Sequence, residues 1–333
     1  MKAFTNANPK TVAQALTFIA DAQKNGKSVA VAGGGSDMLG MMKERLLTPD
    51  VLVHLRSIPG LDQVKQEKLG GVTGIAIGGQ TTLDALSHHD LVRRQFAVLA
   101  EAAGTVATPQ IRNVATLAGN VCQRPWCWYY RNGFKCLKNG GNRCFSVDGE
   151  NEFHAIFGGG PSYIVHPSDT SPALVALDAR FTLNGASGRR VVPAAEFFTL
   201  PSVNAARENV LKDGEVLESV WIPAPGRAVK STYHKIMDRE AWTHAVVSAA
   251  VVLEMENDVC RSARIVLGGV APIPWRLPDV EKLVAGQRVT PALAAQAGEA
   301  AVAGARPLAK NGYKVPMTRA MVARTIESLR PSA

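Results

Sequence analysis

Apolar residues at Val12, Ala15, Leu16 and Ile19 recur at the spacing of one helix face, and Asn8-Pro9 ahead of them offers a cap oxygen and a preset first turn. Lys24-Asn25-Gly26 closes that helix. Ser28–Ala32 reads as a short buried strand running into Gly33-Gly34-Gly35, and Val51–Ile58 as a second strand, giving a helix-strand-loop-strand α/β unit. The pattern then predicts a strand over Gly71–Gly79, a helix near Leu83–Ser87 and a longer one over Leu91–Ala103. From Thr105 to Pro161 periodicity is lost, and glycines, asparagines, aromatics and cysteines mark a functional loop rather than a linker. Strands resume at Tyr163–Val165 and Ala179–Leu183. Pro223-Ala224-Pro225-Gly226 is the domain boundary, and beyond it strands at Val246–Glu254 and Ala263–Gly269 with helices at Asp279–Val284 and Pro291–Ala303 form an α+β unit.

Composition narrows the class. With 333 residues, 46% of them hydrophobic and 20% charged, the chain has the balance of a globular protein of two or three packed units rather than a disordered one. No apolar run is long enough for a spanning helix, and Met1–Lys10 lacks the features of a signal peptide. A net charge of +9 invites a partner or ligand bearing phosphates or carboxylates, nucleic acid included. Cys122, Cys127, Cys136 and Cys144 crowd together while Cys260 stands alone, a distribution that points to metal binding before disulfides.

Three segments carry candidate chemistry. Gly33-Gly34-Gly35-Ser36-Asp37 follows a strand, where glycines let backbone N–H groups approach a pyrophosphate; a plain tight turn is the bland alternative, and the G-x-G-x-x-G fingerprint is absent. Thr108-Pro109-Gln110-Ile111-Arg112 leads into Thr116-Leu117-Ala118-Gly119-Asn120, whose small polar side chains suit a phosphate or flavin contact, with Arg112 able to balance negative charge. His166-Pro167-Ser168-Asp169 opens a helix that runs toward Asp178, and Asp169 is placed either as a simple cap or as an acceptor for a ligand's hydroxyl or ring N–H groups.

In this order the segments resemble the FAD-binding subunit of molybdenum hydroxylases, the family of xanthine dehydrogenase, carbon monoxide dehydrogenase and aldehyde oxidoreductases. The resemblance rests on Ala32-Gly33-Gly34-Gly35, Thr116-Leu117-Ala118-Gly119-Asn120, His166–Asp169 with the run Ala173–Ala179, Lys235–Arg239 and Leu267–Pro272. It implies an α+β protein: a vanillyl-alcohol-oxidase-type FAD-binding fold of two α/β subdomains (1–60 and 61–225) and a C-terminal α+β domain (226–333). It further implies that the Gly33–Asp37 loop and Gly119-Asn120 hold the pyrophosphate and ribityl region, with Ala32, Thr108, Arg112 and Thr116 as further cofactor-binding candidates. Asp169, Asp178 and Lys235 are the remaining cofactor candidates, with Asp169 and Lys235 expected at the polar edge of the flavin.

The cysteine spacing contains no C-x-x-C, which disfavours a zinc ribbon without excluding zinc, and four thiolates on irregular backbone suit an iron-sulfur cube equally well. Between Ala102 and Val147 there is no Asp or Glu, yet Arg112, Arg124, Arg131, Lys135, Lys138 and Arg143 add six positive charges that would stabilise an anionic cluster. Aromatic residues such as Trp126, Trp128, Tyr129 and Tyr130 could screen it. The stretch at about 121–160 is similar to the insertion of aldehyde oxidoreductase and 4-hydroxybenzoyl-CoA reductase FAD subunits, which implies a 4Fe-4S cluster on Cys127, Cys136 and Cys144. Cys122 is the expected fourth ligand, since relatives often carry a cysteine where this chain has Ser162.

The expected function is therefore electron transfer by FAD and a 4Fe-4S cluster, with no catalytic residue in this chain. The implied partners are a large molybdopterin subunit, a small subunit with 2Fe-2S clusters and an external acceptor, without nucleic acid or a membrane span. The expected location is cytoplasmic, or periplasmic if a signal-bearing partner carries the chain out. A stand-alone FAD-dependent dehydrogenase, or a basic zinc and nucleic-acid binding protein, are the alternatives.

Overall fold

The computed structural model describes residues 1–241 and 243–330; Trp242 and the last three residues of the expected C-terminal domain lie outside the described residues. Three sheets follow one another along the chain. Strands β1 (Thr5–Ala7), β2 (Val29–Ala32) and β3 (Val51–His54) form a parallel sheet in the order β1-β3-β2. The helix Val12–Lys24 buries Ala15 and Ile19 in a core shared with Val53, Leu55 and Ile58. Its cap is Thr11, whose Oγ1 accepts from the Gln14 N–H at 3.1 Å, rather than the expected Asn8; the Pro9 carbonyl instead accepts from the Ser57 hydroxyl. β3 stops at His54 because residues 55–57 tighten into a 3₁₀ turn, so the expected strand to Ile58 is halved.

The second sheet is antiparallel, in the order β4-β5-β8-β6-β7, from β4 (Val64–Leu69), β5 (Val72–Gly78), β6 (Arg180–Gly185), β7 (Gly188–Pro193) and β8 (Val216–Pro223). The helix expected over 91–103 is broken into Asp90–Gln95 and Ala97–Gly104 at Phe96, which leaves helical geometry (φ −136°, ψ 50°) while its ring is fully buried. The strand expected at Tyr163–Val165 does not form, and the Tyr163 carbonyl accepts instead from the Ala155 N–H. The third sheet, order β12-β11-β10-β9, contains β9 (Val229–Ile236), β10 (Val247–Glu256), β11 (Val259–Gly268) and β12 (Trp275–Arg276), and the helices Pro291–Ala301 and Lys314–Ser328 share its core.

The helix Thr170–Ala176 is buried at every residue. Leu174 and Val175 belong to the main core, which also takes Ile77 and Phe181 of the second sheet and Ala250, Val252 and Val266 of the third. The turn that opens this helix consequently lies where the two sheets meet. Among the described residues no helix is long and apolar enough to cross a membrane.

Candidate functional site

The glycine loop is shaped first by its neighbour. A Cβ at Gly34 would fall on the Val114 carbonyl, and one at Gly33 would meet Thr116 Oγ1, so both glycines let β2's end lie directly against residues 114–116. Gly35 alone occupies left-handed backbone, at φ +76°. Thr116 caps the short helix Leu117–Val121 by accepting from the Gly119 N–H at 3.2 Å, and Thr108 caps Pro109–Arg112 in the same way. Arg112 spends one guanidinium nitrogen on the Val106 carbonyl at 2.8 Å.

Asn120 ties this loop to the third motif. Its Oδ1 accepts from Ser168 Oγ at 2.7 Å and Thr170 Oγ1 at 2.6 Å, all buried. Asp169 accepts from the Tyr233 hydroxyl and from Lys235 Nζ, each at 2.7 Å. Lys235 also donates to the Thr105 and Thr243 carbonyls, so its three N–H groups are all engaged by protein. Burial, reinforced by the Asp169 charge, holds the Tyr233 phenol well above its usual range. Burial pushes the His166 imidazole down to about 3, so it is neutral; its Nδ1 accepts from the Ser168 N–H.

Ser36, Asp37, Asn120 and Asp169 converge on a cavity of about 210 Å³, together with Gln123, Trp126, Thr243 and His244. A second cavity of about 430 Å³ shares the wall of Trp126, Pro167, Asp169, Thr243 and His244. Gln123 Oε1 and Thr243 Oγ1 are buried at the first cavity with no hydrogen-bond partner, so unmet polar atoms await a polar ligand. Of the other candidates, Ala32, Gly33, Gly34, Gly35, Thr108, Arg112, Thr116, Gly119 and Lys235 line neither cavity; Thr108 and Thr116 cap helices and Lys235 holds Asp169. Asp178 lies at the far end of its helix, exposed in left-handed geometry (φ 54°), where it ends that helix. Trp126 and His244, their rings tilted by 39° with centroids 5.2 Å apart, carried no cofactor motif in the sequence, where Trp126 was expected only to screen a cluster, nor did Thr243.

The four clustered cysteines divide. Burial chiefly pushes the Cys127 thiol up to about 11, against N–H groups of Tyr130 and Tyr129, with Cys144 and Cys136 adding to the rise as neighbours. Cys127 and Cys136 share a small core with Tyr130 and Phe145, and Cys127 Sγ lies 3.4 Å from His154 Nε2. Cys122 packs on the main core instead, and burial alone pushes its thiol up to about 12. Among the described residues no three His, Cys, Asp or Glu side chains form a group that could hold a metal ion. The set of four thiols expected from the sequence is therefore not assembled. Cys260 is a buried core residue of the third sheet's unit.

The six cations of the segment are also less free than their count implied. Glu208, 4% exposed, receives Lys138 at 2.7 Å and Arg124 at 2.8 Å, and Asp37 receives Arg131 at 2.7 Å.

A glycine loop seated on a strand end, Asn120 bonded to the Ser168 turn and a cavity with unmet polar atoms together describe a site shaped for a polar ligand. Comparison with known proteins makes this specific: residues 2–225 match the family model described as FAD binding domain in molybdopterin dehydrogenase, and residues 232–329 match that of the CO dehydrogenase flavoprotein C-terminal domain. The chain belongs to this family of FAD-binding oxidoreductase subunits. It is 32% identical to the aldehyde oxidoreductase FAD-binding subunit PaoB of Escherichia coli (strain K12), over the whole of both chains. It is 27% identical to the carbon monoxide dehydrogenase medium chain of Hydrogenophaga pseudoflava, over 96% of this chain and 94% of that one. A solved carbon monoxide dehydrogenase structure from the same organism superimposes with a TM-score of 0.75 at 25% identity, covering 98% of this chain and 96% of its counterpart.

Proposed function

We propose that this chain is the electron-transferring FAD subunit of a heteromeric molybdenum hydroxylase. It would take electrons from a small 2Fe-2S subunit, deliver them to an external acceptor, and leave substrate oxidation to a large molybdopterin subunit. The observation that carries this reading is the convergence of Asp37, Asn120 and Asp169, from three separate motifs, on one cavity in a chain matched end to end by FAD subunits. When bound, FAD supplies a carrier able to exchange electrons singly or in pairs. The chain's part is to bind and orient it. Ser36 and Asp37 at the end of the glycine loop line the cavity that would take it, Asn120 ties its own loop to the Ser168 turn, and Asp169 is fixed in place by Lys235 and Tyr233.

Cys127, Cys136 and Cys144 are proposed as thiolate ligands of an additional 4Fe-4S cluster that would have to draw them together, supported by Cys136 and Cys144 both lying near enough to Cys127 to raise its thiol. Cys122 is not proposed as the fourth ligand, given its seat in the main core. We place the complex in the cytoplasm, or in the periplasm when a signal-bearing partner exports it. Iron counting and low-temperature EPR on the anaerobically purified complex test the cluster. Four irons beyond those of the small subunit, lost in Cys136→Ser and retained in Cys122→Ser, are expected. Wild-type protein without the extra iron would remove the cluster while leaving the flavin reading in place.

A further inference from the structure

Arg131 belongs to the cysteine segment, one helical turn after Cys127, and its backbone N–H donates to the Cys127 carbonyl at 2.9 Å. Its side chain leaves that segment and ends at the glycine loop, with Nη2 on Asp37 Oδ1 at 2.7 Å and Nε on the Pro125 carbonyl at 2.9 Å. The guanidinium carbon lies 4.2 Å from the ring centroid of Trp126, which lines both cavities. The pair is buried, with side-chain exposures of 6% for Arg131 and 13% for Asp37. The other terminal nitrogen, Nη1, is buried without a hydrogen-bond partner.

Asp37 therefore presents a carboxylate on the wall of the cavity proposed to take FAD, a cofactor that carries two phosphates. Left alone, that carboxylate would repel a diphosphate across a poorly screened gap; Arg239 adds a cation to the cavity wall, and Arg131 bonds the carboxylate itself. We propose that Arg131, supplied by the cysteine segment, is a positioning residue for FAD binding: it cancels the Asp37 charge at the cavity wall and keeps an unused donor beside it. Flavin affinity is then coupled to the folding of the cysteine segment, which already gives Gln123 and Trp126 to the cavity wall. This inference rests on the FAD reading of the cavity and is independent of the cluster.

The test is fluorescence titration of the deflavinated full chain with FAD. Arg131→Gln keeps side-chain donors but removes the charge, and weakens FAD binding about tenfold or more, the equivalent of roughly 1.4 kcal/mol. Arg131→Lys, which keeps the charge, loses less, and adding Asp37→Asn to Arg131→Gln recovers most of the lost affinity. Near-UV circular dichroism identifies the folded variants; if Arg131→Gln does not fold, Arg131→Met with and without Asp37→Asn gives the same comparison. Unchanged affinity without the cation, or a loss that Asp37→Asn does not recover, overturns the proposal. Wild-type chain that takes up no FAD would instead overturn the reading of the cavity.

Discussion

Lys235 stands in the core with 1% of its side chain exposed and Asp169 with 5%, so the pair is held by completeness rather than by attraction alone. Removing the cation strands a buried carboxylate that keeps only the Tyr233 hydroxyl. Lys235→Met is expected to cost about 3–5 kcal/mol in urea unfolding, and Asp169→Asn added to it to recover part of that loss. A second prediction follows from His166, whose buried ring titrates at about 3 against 6.5 in the unfolded chain. Between those values the unfolded chain binds the extra proton, so stability rises with pH and is lost as pH falls from about 6.5 toward 3, by up to about 1.4 kcal/mol per unit. Urea unfolding at pH 7 and pH 5 should show that loss, smaller in His166→Asn. It should not vanish, because burial, with a lesser push from Lys314, also lowers His154, to about 4. At this scale the sequence was informative about which residues matter and less so about what they do: Lys235 and Thr116 hold other residues in place, and Asp178 ends a helix. A motif names a residue type at a position; only the fold decides whether its polar atoms face a ligand or another side chain.

Among elements, the contact between β2's end and residues 114–116 is what the triple glycine serves. Gly34→Ala would drive a methyl group into the Val114 carbonyl, and neither partner is a flexible side chain that could yield. The expected outcome is a folded chain that retains little flavin after gel filtration, measured by absorbance; full retention would show that the close approach is dispensable. Helix Val12–Lys24, β2, β5, β10 and the helices Pro278–Val284 and Pro291–Ala301 were legible, because each buries one regular face. β4 was not, since Lys65, Gln66, Glu67 and Lys68 are exposed and give no apolar alternation. The helix Lys314–Ser328 was missed for a different reason. It carries Pro316 in its first turn and buries Lys314 and Thr318, residues that read as surface. Lys314 meets the Phe153 and Gly269 carbonyls there, at 2.9 and 2.8 Å, and no spacing rule announces that arrangement.

For the whole molecule, the excess of positive charge first suggested an external acidic partner, and then an anionic cluster. Much of it is matched internally: Glu208 and Asp37 lie outside the acid-free stretch and clamp it to the rest of the protein through Lys138, Arg124 and Arg131. Glu208→Gln leaves Lys138 buried without its carboxylate, so limited proteolysis should cut within residues 121–160 at least several-fold faster than in wild type. Equal cleavage rates would show that the clamp is not what orders the segment. The central claim, that the cavity between the glycine loop and the Ser168-Asp169 turn is a flavin site, is tested most directly by the FAD content of the purified full chain after reconstitution and desalting. FAD retained in a one-to-one ratio, and reduced to a small fraction in Gly34→Ala, is the expected result; a folded wild-type chain that retains no flavin would show that the cavity is not a flavin site.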